Sequence, residues 1–276
     1  GRMVKILMPM LGFLLIFMVI YAMFNGAFVK TLEFLFAPDF SNVTAETFLS
    51  AMGQAFFSLS LGMGSIMAYG AYMPKDQKVV PTSFTVASLD TLVAMMAGLA
   101  IFPIIFVFNL EPNSGPGLVF VSMLSAFNQM QFGQIIGSLF FILLSVAALS
   151  SSISLLEPGV AYLSEEGFLS RKYSALAISL FAWTLGIGTA LSFNLLSDFN
   201  LTPGRNFLDS MDFIANQILL PLGGMLIAIF VGWFMKKELI TTEVGYVNSI
   251  IFKLWRFFIK FIAPVSVASI FISQIF

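Results

Sequence analysis

Seven stretches of about 20 predominantly apolar residues constrain this chain more than any other feature of its sequence. In hydrocarbon every backbone amide must be hydrogen-bonded inside its own segment, so stretches of this length predict transmembrane helices. The hydrophobic fraction of 59% and the charged fraction of 10% exclude an ordinary water-soluble domain. The predicted spans are Ile6–Phe24, Phe48–Met73, Ser83–Asn109, Gly133–Leu163, Tyr173–Phe193, Met211–Met235 and Phe257–Phe276.

The 13 lysines and arginines are distributed unequally between alternate loops, and short cytoplasmic loops collect positive charge. Loops on one side of the membrane hold only Lys30 and Arg205. The other side holds Arg2, Lys5, Lys75, Lys78, Arg171, Lys172, Lys236, Lys237, Lys253, Arg256 and Lys260. This distribution predicts a multi-pass protein of the cell (inner) membrane, with its N-terminus in the cytoplasm and, after an odd number of spans, its C-terminus outside. Because the chain begins at Gly1 rather than Met, we expect it to be a fragment.

Cysteine and histidine are both absent, which removes several classes of chemistry. Without cysteine the chain has no disulfide and no thiolate nucleophile or metal ligand. Without histidine it lacks the usual general base and the commonest metal ligand. A formal net charge of −1 gives no support for nucleic-acid binding.

The second span is interrupted in its middle by two serines and two glycines, at Ser58, Ser60, Gly62 and Gly64. Each glycine weakens a helix by roughly 1 kcal/mol and allows dihedral angles outside the helical region. One interpretation is close helix packing through small residues. The other is an unwound segment whose bare carbonyl groups bind a cation and whose half-helix N-terminus faces an anion.

Two further positions carry polar oxygen inside apolar spans. Asp90 lies in the third span, where a carboxylate needs a partner or an ion, and it is either protonated and hydrogen-bonded or bound to a cation. In the fourth span, Ser150 and Ser151 follow Ala147 by one turn. Their hydroxyls either bond back to the preceding turn or offer, with the Ala147 carbonyl, three hard oxygens suited to an alkali or alkaline-earth cation.

The run from Gly53 to Gly64, GQAFFSLSLGMG, closely resembles the unwound sixth helix of the neurotransmitter:sodium symporter family. Further segments follow in the family's order and spacing: Tyr69–Gln77, Leu89-Asp90, Gly115–Phe120, Ser150–Pro158 and Asp212-Phe213. The resemblance covers the whole chain and implies an all-α membrane protein of the leucine-transporter-like inverted-repeat fold, with residues 1–276 as a single transporter domain. It also implies that the chain begins at the fifth helix, that the second inverted repeat spans roughly 48–235, and that helices one to four of the same protein are missing.

The resemblance assigns roles by position. The substrate contacts would come from Phe57, Ser58, Ser60, Met63, Ser151 and Leu155. The first sodium site would include Ser58 and Asp90, and the second would include Ala147, Ser150 and Ser151. The gating residues would be Gln54 near the first sodium or chloride site, Asp212 as the outer gate acid, Glu165 as the inner gate acid and Tyr72 as the tyrosine that braces the inner gate.

Four residues depart from the family's pattern. Asp90 stands where many relatives have a sodium-binding Asn, and Ala94 stands where they have a chloride-binding Ser or a substituting acid. Ser58 replaces the more common Thr. Because the Asp90 carboxylate supplies the negative charge directly, chloride is not expected to be required. Met63 replaces an aromatic residue of the substrate pocket, and its flexible thioether predicts broad specificity among apolar amino acids.

These residues and the resemblance predict a sodium-coupled importer of an amino acid or a similar small zwitterion, working by alternating access within the lipid bilayer. A membrane-embedded enzyme with Asp90, Ser150 and Ser151 as a catalytic cluster is the alternative, although no His or Lys base lies in the middle of a span. A non-transporting scaffold is a third possibility.

Overall fold

The chain is almost entirely helical in a computed structural model that describes residues 2–74, 76–110, 117–244 and 250–275. Of residues 2–4, 46, 270 and 273–275 only the backbone is described. The helices of the first half are α1 (Arg2–Asn25), α2 (Phe28–Phe36), α3 (Ala45–Ser58), α4 (Ser65–Ala71), α5 (Val79–Val107), α6 (Met123–Gln129) and α7 (Gly133–Glu165). Those of the second half are α8 (Arg171–Leu191), α9 (Phe207–Asp212), α10 (Leu220–Ile229), α11 (Lys237–Val244), α12 (Ile250–Phe257) and α13 (Ala263–Ile275).

Several helices continue through short segments of other geometry. A 3-10 turn at Phe40–Asn42 precedes α3, and a π-helical segment at Leu118–Ser122 leads into α6. Further π-helical segments at Phe213–Leu219, Phe230–Phe234 and Phe258–Ile262 join or extend α9, α10, α12 and α13. The strands β1 (Asn200–Thr202) and β2 (Arg205–Asn206) form an antiparallel hairpin before α9.

Five helices among the described residues are long and apolar enough to cross a membrane: Lys5–Asn25, Val79–Val107, Gly133–Glu165, Arg171–Leu191 and Phe207–Phe234. They correspond to the first, third, fourth, fifth and sixth predicted spans. The second predicted span is divided into α3 and α4 at the serines and glycines. The seventh is helical from Ile250 to Ile275, and Phe276 lies outside the described residues.

The chain divides into two compact units, each built from two segments. The first comprises Gly1–Asn42 and Val86–Ile153. Its buried core consists of Leu15, Met18 and Ala22 of α1, Ala100, Ile104 and Ile105 of α5, Met123, Ala126 and Phe127 of α6, and Ile136 and Phe140 of α7. Pro103 leaves the α5 helix unbroken, and its carbonyl accepts a hydrogen bond from the Ala27 amide at 3.0 Å, which fixes the start of α2.

The second unit comprises Val43–Thr85 and Ser154–Phe276. Here α10 packs against α3 and α13, and α9 packs against α8 and the hairpin. The Ser192 hydroxyl accepts the Leu208 amide at 3.0 Å and so ties the end of α8 to the start of α9. The two halves of the divided helix, α3 and α4, both belong to this unit.

Candidate functional site

The break between α3 and α4 begins with a helix stop of the Schellman type. The Leu61 amide donates to the Phe56 carbonyl at 2.9 Å, and the Ser60 amide donates to the Phe57 carbonyl at 3.0 Å. Ser60 occupies the left-handed position of this motif, with φ of 53°. Glycine is the usual residue there, and a left-handed serine costs roughly 1–2 kcal/mol. Strained backbone of this kind clusters at functional sites because the surrounding structure must hold it in place.

The break continues through two left-handed glycines, Gly62 with φ of 91° and Gly64 with φ of 82°. A Cβ atom on Gly62 would lie 2.4 Å from the Leu220 carbonyl oxygen and 2.7 Å from the Gly224 nitrogen. A Cβ atom on Gly223 would lie 2.3 Å from the Gly62 carbonyl oxygen. The chain is therefore unwound at the break, its glycines also allow close packing on α10, and ion binding at the break stays a prediction.

Unwinding leaves backbone oxygen without a helical partner. In the described part of the chain, no backbone N–H donates to the carbonyls of Leu59 and Leu61. Bare carbonyls are the hard oxygen ligands that alkali cations bind, and they lie next to the predicted pocket residues in sequence. Ser58, Ser60 and Met63 are half-buried around the break, and the Phe57 ring is 47% exposed. Leu155, which also belongs to the second unit, is 45% exposed on α7.

The half-helix α4 contacts the C-terminal half of α7 at three points. Gly64 lies so close to Pro158 that a Cβ atom there would be 3.2 Å from the proline ring. The Tyr69 hydroxyl donates to the Ser154 hydroxyl, and Tyr72 reaches Glu157 one turn further along both helices. Ser65, the first residue of α4, is buried, and its hydroxyl has no hydrogen-bond partner among the described residues.

Glu157 is the centre of a charged cluster that the sequence analysis did not identify. Tyr72 donates to its Oε1 at 2.9 Å, and the Arg171 guanidinium donates to Oε1 and Oε2 at 2.7 and 2.9 Å. Arg171 and Glu157 therefore form a salt bridge. Glu165, the inner gate acid implied by the resemblance, ends α7 as an exposed residue, and its gating role stays a prediction.

Helix α7 also carries the predicted oxygens of the second sodium site, on its portion within the first unit. The Ser150 hydroxyl is buried and donates to the Ala147 carbonyl at 2.8 Å, so two of the three predicted oxygens are neighbours. Ser151 is exposed beside them. Asp90 lies half-buried on α5 of the same unit, and Ala94 lies exposed one turn later. The described residues contain no group of three acidic side chains, so a cation in this part of the chain would have hydroxyl and carbonyl oxygens as most of its ligands.

The predicted outer gate acid lies at the end of the second unit opposite to the Glu157–Arg171 pair. Asp212 is exposed, and its Oδ1 accepts a hydrogen bond from the Asn216 side chain at 2.6 Å. The Arg205 guanidinium lies 4.0 Å from the centre of the Phe213 ring, the residue after Asp212. In α3, Gln54 lines a surface groove. The other residues of that groove are Thr44, Thr47, Ser50 and Ala51.

Each unit therefore holds a different part of the predicted site. The second contains Gln54, Phe57, Ser58, Ser60, Met63, Tyr72, Leu155, Glu165 and Asp212. The first contains Asp90, Ala147, Ser150 and Ser151. Gly115 and Pro116 of the resembling loop lie outside the described residues. Glu157 and Arg171 were missed because neither is unusual in the sequence, although an acid beside a proline inside an apolar span was a usable signal.

A family model described as the sodium:neurotransmitter symporter family matches residues 2–276. The uncharacterized sodium-dependent transporter YhdH of Bacillus subtilis is 33% identical over 99% of this chain and 61% of its own length. A sodium-dependent transporter of Haemophilus influenzae is 35% identical over 100% of this chain and 60% of its own length. The crystal structure of MhsT in complex with L-phenylalanine matches 98% of this chain and 62% of that protein, with 45% identity and a TM-score of 0.85. The chain thus spans about three fifths of the length of these relatives.

Proposed function

The chain belongs to the sodium:neurotransmitter symporter family, and from this premise we propose that the whole protein imports an amino acid or similar small zwitterion together with sodium. The membrane-protein class and the leucine-transporter-like fold follow from the apolar helices and the similarity to MhsT. Transport is proposed for the complete protein, in which helices one to four would supply the other half of each binding site. The second inverted repeat would occupy roughly residues 48–235.

The observation that carries this proposal is the break between α3 and α4. Its backbone is left-handed at Ser60, Gly62 and Gly64, and it exposes carbonyl oxygens inside an otherwise apolar span. In a membrane such backbone is tolerated only where it lines a cavity or contacts other protein. A break that served packing alone would need the glycines but not the strained serine, so Ser60 favours a binding role.

Sodium would bind as a transported ion at two places. Ser58 and Asp90 would contribute to the first site, and Ala147, Ser150 and Ser151 to the second. The Ser150 hydroxyl now bonds back to the Ala147 carbonyl at 2.8 Å, so a cation bound there would replace this hydrogen bond as the partner of both oxygens. A bound cation would take a lone pair of the hydroxyl oxygen, so the serine need not lose its proton.

Chloride would not be required, because Asp90 would supply the negative charge beside the first sodium. Ala94, one turn later on α5, has no donor with which to hold an anion.

The substrate would lie against the break, among Phe57, Ser58, Ser60, Met63, Ser151 and Leu155. L-Phenylalanine is the molecule in the MhsT complex, and the apolar lining from Met63 and Leu155 supports an apolar amino acid here. Met63 is flexible and half-buried, so it would adapt to side chains of several shapes.

Alternating access would open one end of this pathway at a time. At the predicted outer end, Asp212 and Gln54 would belong to the gate. At the inner end, Tyr72 and Glu165 would have gating roles. Glu157 would join them because it accepts a hydrogen bond from Tyr72, and Arg171 because it forms a salt bridge with the same Glu157 carboxylate. The predicted orientation places the N-terminus of the chain in the cytoplasm and its C-terminus outside, in the inner membrane.

The test is amino-acid uptake by the whole protein reconstituted in vesicles, with and without an inward sodium gradient. Uptake should need sodium and persist when gluconate replaces chloride. Ser150→Ala should raise the sodium concentration for half-maximal uptake, while Ser138→Ala, which removes an exposed back-bonded hydroxyl from the same helix, should leave it unchanged. Sodium-independent uptake, or equal behaviour of the two variants, would contradict the proposed coupling.

Asp90 has its own test in the same assay. Asp90→Asn should abolish chloride-independent uptake, since it removes the fixed negative charge. Adding Ala94→Ser supplies a hydroxyl donor, so activity should return in part and now require chloride. If the unmodified protein stops transporting in gluconate, Asp90 does not replace the anion.

A further inference from the structure

A row of basic and aromatic side chains follows one side of the helix that begins with α12. Lys253, Arg256, Phe257, Lys260 and Phe261 recur at intervals of three and four residues, the spacing of one helical face. We call these five residues the basic–aromatic face. Phe252, one turn before Arg256 on α12, is buried, and its ring centroid lies 5.9 Å from that of Trp255 on the same helix.

The aromatic members of this face form a continuous exposed surface. The ring centroids of Phe257 and Phe261 are 5.4 Å apart, and those of Phe261 and Trp233 are 5.5 Å apart. Trp233, at the end of the sixth predicted span, is 55% exposed, and Phe257 is 51% exposed. Exposed aromatic rings beside basic residues are typical of the interface between hydrocarbon and head groups.

Lys260 is held in position by Trp233 through two contacts. Its Nζ lies 4.3 Å from the centre of the indole ring, and its carbonyl accepts a hydrogen bond from the indole Nε1 at 3.1 Å. That carbonyl is available because Pro264, four residues later, has no N–H to donate. Gly232 permits the approach, since a Cβ atom there would lie 3.0 Å from Lys260 Cγ.

Basic residues outnumber acidic residues in this region. Between Lys236 and Lys260 the sequence has five basic residues and two acidic residues. In the part of the chain that the structure describes, none of Lys253, Arg256 and Lys260 forms a salt bridge. The positive groups are therefore available to an external anion.

We propose that the basic–aromatic face binds an anionic phospholipid of the inner leaflet. The phosphate would contact Arg256 and Lys253 as donors, and the acyl chains would lie on Phe257, Phe261 and Trp233. Arginine and lysine are the usual phosphate donors, and basic clusters at the cytoplasmic end of a membrane helix attract anionic lipids. A soluble phosphate would contact only the basic side chains, whereas a phospholipid would also contact the aromatic rings through its acyl chains. The proposal rests on the family's membrane location and the predicted orientation, and it is independent of sodium coupling.

The test is a lipid titration of the purified chain in a neutral detergent. Phosphatidylglycerol should raise the midpoint of thermal unfolding and remain bound in native mass spectrometry, whereas phosphatidylcholine should do neither. The variant Lys253→Gln/Arg256→Gln/Lys260→Gln should weaken the apparent phosphatidylglycerol affinity by about tenfold or more, since each basic residue near the surface contributes substantially. Glycerol 3-phosphate, which has the phosphate without acyl chains, should have no effect.

Two controls decide between a defined site and general attraction. Lys5→Gln/Lys78→Gln/Lys172→Gln removes the same charge from the same predicted side of the membrane and should retain the affinity for phosphatidylglycerol. Lys253→Arg/Lys260→Arg preserves the charge and should retain it too. The proposal is wrong if the two glutamine variants weaken binding equally, or if glycerol 3-phosphate stabilises the chain as well as phosphatidylglycerol does.

Discussion

Replacing Gly62 with alanine should destabilise the chain strongly, because two separate costs meet at this residue. An L-residue at φ of 91° is strained by roughly 1–2 kcal/mol. The new methyl group would also lie 2.4 Å from the Leu220 carbonyl oxygen and 2.7 Å from the Gly224 nitrogen. Both are backbone atoms that cannot rotate away, and overpacking of this kind costs about 1–3 kcal/mol more. The total of about 2–5 kcal/mol corresponds to a loss of roughly 5–15 °C in the unfolding midpoint of a chain of this length.

Three other glycines separate the two costs. Gly167 has φ of 75° and no atom within 4 Å of its added Cβ, so Gly167→Ala measures the dihedral strain alone. Gly223 has an ordinary φ but would place its Cβ 2.3 Å from the Gly62 carbonyl oxygen, so Gly223→Ala measures the overlap alone. Gly186 has neither feature, and Gly186→Ala in the middle of α8 should be neutral or stabilising by up to about 1 kcal/mol.

Thermal unfolding followed by size-exclusion chromatography in one detergent ranks the four variants against the unmodified chain. Gly186→Ala should unfold at the highest temperature, Gly167→Ala and Gly223→Ala below the unmodified chain, and Gly62→Ala lowest. If Gly62→Ala is no less stable than Gly167→Ala, the break is not packed on α10 as described, and the reasoning fails.

Three further predictions use different assays. A cysteine at Ser41 should react with an impermeant maleimide in intact cells while one at Gln77 should not, and the reverse pattern would refute the predicted topology. Arg171→Gln should lower the midpoint of thermal unfolding slightly, since the pair is partly exposed, and a second change of Glu157→Gln should recover most of that loss because no unpaired carboxylate remains. Additive losses would show that the pair does not interact. Met63→Phe should narrow the range of apolar amino acids that inhibit uptake, whereas an unchanged range would remove Met63 from the pocket.

The sequence was sufficient wherever the governing physics is local. Hydrocarbon requires each span to satisfy its own backbone, so apolar runs alone located five of the long helices. The position of the break was also predictable, because serines and glycines at residues 58–64 are poor helix formers inside an apolar span. The family resemblance was likewise carried by contiguous residues, and the match over residues 2–276 confirmed it.

The tertiary structure decided the contacts between residues that are far apart in the chain. The acid that Tyr72 contacts is Glu157, 85 residues away in the chain, which lies about two helical turns before Glu165 on α7. The close approach of Gly62 to Gly223 likewise depends on α10, which lies more than 150 residues later. Hydropathy and helix propensity describe how a single residue behaves in its solvent. These pairings depend instead on which faces of which helices meet, and the packing of the whole unit sets those faces.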